Sequence, residues 1–451
     1  MDEVCLRGDR EEQMTRQDGN GTINRRQILG AIAASIGYAL APNCLASAGD
    51  STSLAKEDEA FLDDLERQGC LFFWEQGHPK TGQVLDRARN DLNGARDPRR
   101  MASIASTGFG LTALCIADHR GYLPHAQIVE RVGTTLDWHL NHLPETHGFF
   151  YHFTDVETGK RYPGSELSSI DTSLLLCGIL TARGYFEDAR IQQLATAIYE
   201  RVDWPWMLNG GKTFSMGWQP DTGFLKARWN HYCELMMIYL LAIGSPTHPV
   251  APESWVSFTR PVIHYAGFDY ISGNDPLFTH QYSHAWFDFR YKTDAYADYF
   301  ANSIKATRAH KAFCLSYPKW YSEQYWGITS SDYAGGYTAW GGPPAQGPID
   351  GTVVPCAAAG SLPFLPMDCI AVLRGMRSKW GKYAWGRYGF VDAFHPAANW
   401  YDADVLGIDQ GISVLMAENL RSGLVWDAFM HNPETGRAMQ RSGFHGRGLP
   451  A

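Results

Sequence analysis

Residues 228–248 read RWNHYCELMMIYLLAIGSPTH, and this stretch decides the fold prediction. Apolar side chains recur at the spacing of one helix face, and the opposite side of the run is apolar as well. A helix that is apolar all round belongs in the core of a large domain. Gly244 and Pro246 indicate where it ends. We therefore predict a buried helix over residues 229–243.

One carboxylate, Glu234, lies within this apolar run. No Lys or Arg stands three or four residues away from it, so no cation neutralises it locally. A buried carboxyl group without a cation has a raised pKa and stays protonated near neutral pH, as a general acid must. The alternative is a structural glutamate in the first helical turn, where free backbone N–H groups favour a negative charge.

The composition limits the classes of partner. The chain has 451 residues, a formal net charge of −9 and 13% aromatic residues, and it contains no Lys/Arg-rich run. A nucleic-acid partner is therefore not expected. Seven cysteines follow residue 48 without any C-x-x-C pair, so we predict free thiols rather than a disulfide framework or a zinc site.

The N-terminal residues resemble an export signal. Arg25 and Arg26 precede a short apolar run, and Ala46-Ser47-Ala48 is typical of a cleavage site. We expect a twin-arginine signal over residues 1–48, a linker over 49–56, and a periplasmic protein with no membrane partner after cleavage. A chance arginine pair in a tethered or cytoplasmic protein is the alternative, and the start codon is open between Met1 and Met14.

From residue 57 onward the pattern is mostly helical. After a first amphipathic helix, helical stretches are predicted near residues 106–119, 124–142, 169–183, 186–202, 229–243, 253–264, 294–316, 366–379 and 409–430. Long loops rich in polar residues, Gly and Pro separate them, and convincing strand runs are few. We predict an all-α toroid of paired helices over residues 57–435, with a cleft built by the long loops and a tail over 436–451. An α+β domain with short hairpins in the loops is the alternative.

Motifs for nucleotides and metals are weak. Residues 108–113, GFGLTA, formally match a dinucleotide fingerprint, but no hydrophobic strand precedes them. His280 and His284 have the i, i+4 spacing of a metal pair, yet Pro276 precedes them and no acidic third ligand is evident, so we interpret them as polar loop residues. We expect neither a cofactor nor a metal ion.

Acidic residues in aromatic surroundings are the remaining candidates for chemistry. Glu166 lies in a loop just before a predicted helix start, whereas Ser168 and Asp171 form a capping box that could by itself explain Asp171. Asp332 and Asp409 lie in later Gly-rich segments, and some of these acids are expected only to pair with arginines. Carboxylates combined with Trp and Tyr are typical of a glycoside hydrolase, in which two carboxyl groups act on the acetal and aromatic faces stack on the sugar.

Several segments together resemble a known family. They are residues 106–110 (STGFG), 170–172 (IDT), 229–234 (WNHYCE) with 244–249 (GSPTHP), 280–284 (HQYSH) with 288–290 (DFR), 326–329 (WGIT), 385–394 (WGRYGFVDAF) and 408–411 (IDQG) with 418–423 (ENLRSG). They resemble the glucoamylase-like domain of glycoside hydrolase family 144, the bacterial β-1,2-glucanases, over about residues 57–435. The resemblance implies an (α/α)6 toroid, a β-1,2-linked glucan as substrate, and an endo-acting, inverting hydrolase. The related domain of cyclic β-1,2-glucan synthases shares many of these motifs, so transglycosylation stays open.

The resemblance also implies site residues. It places the general acid on Glu234 and further essential acids near Glu166, so Glu234 is expected to protonate the leaving oxygen while Glu166 or Asp171 activates the nucleophile. Residues expected to contact the substrate are Asp86, Arg87, His284, Arg290, Trp326, Asp332, Tyr337 and Asp409. A glucan-binding protein without catalysis, built on the same toroid, is the alternative from another class. A lyase for acidic polysaccharide would need a cleft richer in Lys and Arg.

Overall fold

Helix α7 (Met236–Gly244) is buried along its whole length, as its apolar sequence predicts. It begins later than residue 229, because residues 231–235 form a bridge and a turn. Ser283 caps the helix from another segment: its hydroxyl donates to the Glu234 carbonyl at 2.7 Å and accepts from the Met237 N–H at 3.1 Å. Glu234 therefore lies in the turn before the helix, and its predicted place inside the helix is wrong.

The computed structural model describes residues 54–339 and 349–446, which fall within one compact unit. The predicted export signal over residues 1–48 lies outside the described residues. Within the described ranges, no helix has the length and apolar character needed to cross a bilayer.

Helices account for most of the residues in ordered elements. They are α1 (Lys56–Gln76), α2 (Ile104–His119), α3 (His125–Asn141), α4 (Ser169–Tyr185), α5 (Ala189–Glu200), α6 (Trp204–Leu208), α7 (Met236–Gly244), α8 (Tyr282–Trp286), α9 (Tyr299–Leu315), α10 (Pro355–Ala359), α11 (Pro366–Ala384), α12 (Gly407–Arg421), α13 (Leu424–Met430) and α14 (Pro433–Arg441).

These helices form an (α/α)6 toroid, as predicted. Helices α2, α4, α7, α8, α10 and α12 are buried around nearly their whole circumference and form the inner layer. Helices α1, α3, α5, α9, α11 and α14 leave one side to solvent and form the outer layer. The ring closes where α12 packs against both α1 and α2.

Two glycines allow inner helices α2 and α4 to cross at close range. A Cβ atom on Gly178 would lie 2.0 Å from the carbonyl oxygen of Gly108, and a Cβ atom on Gly108 would lie 2.3 Å from the carbonyl oxygen of Leu174. The GFG sequence at residues 108–110 is therefore explained by helix packing.

The strands are short and antiparallel. They are β1 (Arg87–Arg89), β2 (Met101–Ser103), β3 (Glu145–Thr146), β4 (Phe149–Phe150), β5 (Phe153–Asp155), β6 (Leu167–Ser168), β7 (Gly217–Gln219), β8 (Gly223–Phe224), β9 (Val262–Tyr265), β10 (Phe268–Ile271), β11 (Lys292–Thr293), β12 (Ser331–Tyr333), β13 (Gly336–Thr338), β14 (Trp385–Gly386), β15 (Gly389–Phe390), β16 (Phe394–His395), β17 (Trp400–Tyr401), β18 (Asp404–Leu406) and β19 (His445–Gly446).

Three of these strands run directly into inner helices: β2 into α2, β6 into α4 and β18 into α12. Strand β1 pairs with β18, with Arg87 opposite Leu406 and Arg89 opposite Asp404. This pairing joins the loop after α1 to the loop before α12. The strands therefore connect the loops that carry the candidate site.

Two helix predictions differ from the structure. Residues 253–264 contain a 3-10 turn (Pro252–Val256) followed by strand β9, because Pro261 cannot continue a helix. The stretch 409–430 is two helices, α12 and α13, separated at Gly423, whose φ of 77° is left-handed. The predicted domain boundary at residue 435 falls inside α14, which packs against α7.

The seven cysteines of the described residues are buried and none of them forms a disulfide bond, in agreement with the prediction of thiols rather than a disulfide framework.

Candidate active site

Glu234 is a buried carboxyl group with its pKa near neutrality. Its exposed fraction is 8%. Burial and the charge of Asp275 raise its pKa to about 7, although a backbone hydrogen bond and the charge of His231 oppose this rise. The His231 Nε2 lies 3.3 Å from Asp275 Oδ2, so the imidazole is held beside the acid. The expectation that Glu234 has a raised pKa is confirmed, and a group of this kind is suited to donate a proton.

The Glu234 turn is tied to the start of helix α4. The indole N–H of Trp229 donates to the Ser169 hydroxyl at 2.8 Å, and the Trp229 carbonyl accepts from the Tyr239 hydroxyl at 2.8 Å. Ser169 is the first residue of α4, which also carries Asp171. The two segments that hold the predicted catalytic acids therefore share a direct hydrogen bond.

Glu166 and Asp171 are brought together by a histidine that the sequence analysis missed. His152 Nδ1 lies 3.2 Å from Glu166 Oε1, and His152 Nε2 lies 3.5 Å from Asp171 Oδ1. A lone histidine in the aromatic stretch FFYHF matches no motif, so only tertiary contacts reveal it.

The two carboxyl groups differ in their surroundings. Burial would raise the pKa of Glu166, but the hydrogen bond and charge of His152 outweigh burial and lower it. Burial raises the pKa of Asp171, although His152 and Ser168 oppose the rise. Ser168 accepts from the Asp171 N–H at 3.2 Å and donates to its carboxylate at 2.5 Å, which confirms the predicted cap. Glu166 is thus the better candidate for an ionised base.

A second acidic cluster lies on the loops before α12. The Asp332 N–H donates to Asp392 Oδ2 at 2.7 Å, and Arg87 Nη1 donates to Asp332 Oδ2 at 2.6 Å. Arg87 also donates to Asp86 at 3.3 Å. Asp409 lies in the first turn of α12 beside Asp392. The structure therefore brings together four of the predicted contacts: Asp86, Arg87, Asp332 and Asp409.

Several oxygens in this cluster lack hydrogen-bond donors. Burial raises the pKa of Asp409 to about 6 and that of Asp402 to about 7, and burial followed by the charge of Asp409 raises the pKa of Asp392. One carboxylate oxygen of each of these three residues is buried without a partner. Such acceptors are suited to take hydrogen bonds from the hydroxyl groups of a sugar.

The two acidic groups belong to the same region. The charge of Asp86 raises the pKa of His152, and the charges of Asp409 and Glu234 both raise the pKa of Tyr282, so these groups lie near one another. Tyr337 faces Asp332 across the β12–β13 hairpin and is 37% exposed. We call this group of residues the acidic cleft, after the cleft that the sequence predicts, and take it as the candidate site.

Three predicted contacts lie elsewhere. Trp326 is fully buried in a hydrophobic cluster with α11. His284 is a buried residue of α8 whose Nε2 lies 3.0 Å from the Ser303 hydroxyl, and Arg290 pairs with Asp288 and lies over the Trp426 ring. The structure explains these three side chains by packing, so it does not support their expected role in substrate binding.

The interpretation of His280 and His284 as polar loop residues is wrong, because both are buried and burial lowers both pKa values to about 3.

Two groups in the described residues have donor atoms within 4.8 Å of one another: His152 with Glu166 and Asp171, and Asp332 with Asp392 and Asp402. In the first group the carboxylates face opposite ring nitrogens, so the donors do not converge on one point. In the second group, oxygens of Asp332 and Asp392 already accept hydrogen bonds from protein N–H groups.

The chain is similar in sequence to known proteins. The Glycoamylase family model, described as "Putative glucoamylase", matches residues 226–433. The chain is 28% identical to the exo β-1,2-glucooligosaccharide sophorohydrolase (non-reducing end) of Parabacteroides distasonis, over 90% of this chain. It spans 61% of the length of that relative.

Solved structures agree in fold. The endo-β-1,2-glucanase of Chitinophaga pinensis, solved with sophorotriose and glucose, is 28% identical, has a TM-score of 0.80, and is matched over 87% of this chain and 99% of its own. The β-1,2-glucanase of Parabacteroides distasonis is 27% identical, with a TM-score of 0.78 over 86% of this chain and 60% of its own. The chain therefore shares the fold of the bacterial β-1,2-glucanases, and its similarity to them, which its motifs indicate, is confirmed.

Proposed function

We propose that the chain is a glycoside hydrolase that cleaves β-1,2-linked glucan, with Glu234 as general acid and Glu166 as general base. One observation carries this proposal. A buried carboxyl group with a pKa of about 7 and a carboxyl group with a lowered pKa lie on segments joined by the Trp229–Ser169 hydrogen bond. At a pH between the two values, one group is protonated while the other is ionised, which is the state that a glycosidase needs.

The chemistry follows from these roles. Glu234 donates its proton to the glycosidic oxygen as the bond to the anomeric carbon breaks. A water molecule attacks that carbon from the opposite face and gives its proton to Glu166, directly or through a second water. The result is inversion, which requires the two carboxyl groups to be about 6.5–9.5 Å apart.

The substrate class rests on the acidic cleft and on the relatives. Partnerless oxygens of Asp392, Asp402 and Asp409 offer acceptors for glucose hydroxyls, and the exposed ring of Tyr337 offers a stacking face. The endo-β-1,2-glucanase and the sophorohydrolase described above act on β-1,2-linked glucans, so we propose the same linkage for this chain. We propose endo-cleavage, by analogy with the endo-β-1,2-glucanase of Chitinophaga pinensis, and exo-cleavage is the alternative.

Product analysis tests the function directly. Linear β-1,2-glucan should yield a ladder of oligosaccharides, and NMR taken in the first minutes should show the α-anomer at the new reducing end. Linear β-1,3-glucan should be untouched. Disaccharide as the sole early product would replace endo-cleavage by exo-cleavage, and cyclic or lengthened products would indicate transglycosylation. No cleavage of β-1,2-glucan would contradict the proposal.

The variant Glu234→Gln tests the acid. It keeps the size of the side chain but removes the proton, so cleavage of glucan should fall by roughly 10²-fold or more. A substrate with an activated aryl leaving group needs little protonation and should be affected much less. Glu253→Gln, at an exposed position outside the cleft, is the matched control. A glucan-binding protein without catalysis would show unchanged affinity and no turnover in either protein.

We also propose that the protein is exported by the twin-arginine route. The support is the sequence around Arg25 and Arg26. Replacing both by lysine should leave uncleaved precursor in the cytoplasm, as judged by fractionation and immunoblotting. Unchanged export of that variant would contradict the proposal.

A further inference from the structure

His152 is fixed in place by its backbone and by its ring. Its N–H donates to the Glu166 carbonyl at 2.9 Å, and its own carbonyl accepts from the Ile104 N–H at 3.2 Å. The imidazole stacks on Phe153, with ring centroids 3.7 Å apart and planes 19° apart. The side chain is almost fully buried, so the ring has little freedom to turn.

Each ring nitrogen of His152 faces its own carboxylate. Nδ1 forms a hydrogen bond with Glu166 Oε1 at 3.2 Å, and Nε2 lies at ion-pair distance, 3.5 Å, from Asp171 Oδ1, a buried oxygen with no other partner. A neutral imidazole has only one N–H, and both nitrogens act as donors only in the charged form. The geometry therefore suits an imidazolium between two carboxylates.

The electrostatics agree with this geometry. Burial alone would lower the pKa of His152, but the charge of Asp171 and the hydrogen bond to Glu166 raise it to about 9. Asp86, from the loop before β1, adds to the rise. The charged groups that face His152 thus come from three elements: the loop before β6, helix α4 and the loop before β1.

We propose that His152 is a positioning residue that carries a positive charge, is anchored on Asp171, and holds Glu166 ionised and oriented toward the attacking water. The proposal rests on the proposed function, since it assigns a role within that site. Asp171 acts only through His152, because its carboxylate is fully buried and capped by Ser168. His152 thus links two carboxylates of different kinds. Helix capping explains the presence of Asp171, but it does not explain the presence of Glu166.

Kinetics with His152→Phe give the first test. The phenyl ring can still stack on Phe153, but it neither carries charge nor donates a hydrogen bond. We expect kcat to fall by about 10²-fold, KM to change little, and the acidic limb of the kcat–pH profile to move to higher pH. His139→Phe is the matched control, since His139 is fully buried and its Nδ1 contacts only the Thr135 carbonyl. The control should lose stability without a change in the shape of the pH profile.

Chemical rescue separates charge from packing. In His152→Gly, added imidazole should restore part of kcat, and pyrrole, which has a similar shape but no basic nitrogen, should not. Equal rescue by both compounds, or an unchanged acidic limb in folded His152→Phe, would mean that His152 only fills space.

Ring NMR gives a test that does not depend on activity. With ¹⁵N-labelled histidine, the signal absent from His152→Phe identifies residue 152, and at pH 7.5 both of its nitrogens should be protonated. Asp171→Asn should lower the pH at which they lose that proton. A neutral His152 at pH 7.5 overturns the inference even if the enzyme cleaves glucan. If wild-type protein cleaves no β-1,2-glucan, the proposed function fails and the positioning role falls with it, while the ring spectra still report the charge.

Discussion

Glu234 should reduce the stability of the folded protein at neutral and alkaline pH. In the unfolded chain its carboxyl group has an ordinary pKa of 4.5, whereas burial raises the folded value to about 7. Between these values the folded state binds more protons, so its stability falls as the pH rises from 4.5 to 7. A group that is useful as an acid is therefore a poor contributor to stability.

Glu234→Gln should consequently be more stable than wild type above pH 7. The expected gain is up to roughly 3 kcal/mol at pH 8, because each pKa unit corresponds to about 1.4 kcal/mol. The gain should vanish below pH 4.5, where Glu234 is neutral in both states. Urea unfolding of both proteins at pH 4 and pH 8 measures this difference. An equal gain at both pH values would show that the ionisation of Glu234 is not its cause.

The pH profile of activity should have the same origin. Activity should decline above about pH 7 as Glu234 loses its proton, and it should persist to below pH 4.5, because the pKa of Glu166 is lowered. The pH dependence of kcat/KM, which reports the pKa values of the free enzyme, measures both limbs of the profile. A flat profile from pH 6 to pH 9 would remove Glu234 from the role of acid.

For single residues, the sequence predicted those properties that depend on neighbours along the chain. The absence of Lys and Arg around Glu234 indicated a raised pKa, and the structure bears this out. The effect of Asp275 on the pKa of Glu234 and the effect of His152 on the pKa of Glu166 could not be predicted. Only tertiary contacts bring these residues together. Trp326 and His284, which the resemblance placed among the substrate contacts, are buried by packing that no local sequence pattern shows.

The crossing of α2 and α4 predicts a sharp difference between two glycines. Gly178→Ala would place a methyl group 2.0 Å from the backbone of Gly108, and neither helix can move without disturbing the core. We expect a loss of about 3 kcal/mol or more, at the upper end of the cost of overpacking.

Gly436→Ala is the matched control within helix α14. A Cβ atom there has no neighbour within 4 Å, so alanine should stabilise the helix by about 0.5–1 kcal/mol. Thermal or urea unfolding of both variants measures the contrast. Similar effects of the two substitutions would show that α2 and α4 can separate.

The helices themselves were largely predictable, and the failures have identifiable causes. The apolar period located α2, α4 and α11 to within a few residues of their starts. Two predicted helices were too long, because at Gly423 and Pro261 backbone geometry rather than side-chain polarity ends the helix. The two-residue strands left no pattern that could be read, because alternation needs a longer run.

The closure of the ring depends on a network of buried ions. Arg421 of α12 donates to Glu59 at 2.8 Å and to Glu66, both on α1, and Glu66 is fully buried. Arg120, at the end of α2, donates twice to Glu418 at 2.8 Å. The last inner helix, α12, is thereby joined through charges to α1 and to the end of α2.

Arg421→Met should be strongly destabilising. It would leave Glu66 buried beside Glu418 without its nearest cation, and removing one partner of a buried pair costs about 3–5 kcal/mol. The double variant Arg421→Met/Glu66→Leu should recover much of this loss. Arg67→Met, which breaks a largely exposed pair with Asp63, should cost less than about 1 kcal/mol. No recovery in the double variant would mean that packing of Arg421, rather than charge, is responsible.

The overall architecture was predictable because its motifs are spread over most of the chain. The pairing of distant loops was not predictable from the sequence, since strands β1 and β18 join residues 87–89 to residues 404–406. No periodicity carries such information.

That pairing has a consequence for the growing polypeptide. During synthesis, the segments with Glu166 and Glu234 leave the ribosome long before β18, and strand β1 has no partner strand until β18 arrives. Contacts between such distant segments form slowly because a long loop must first close. A nascent chain that stops before Asp409 therefore holds both proposed proton-transfer groups but only part of the acidic cleft around them. The half of the site proposed to bind glucan is finished last, so a truncated protein should carry the proposed proton-transfer groups without the residues proposed to hold the substrate.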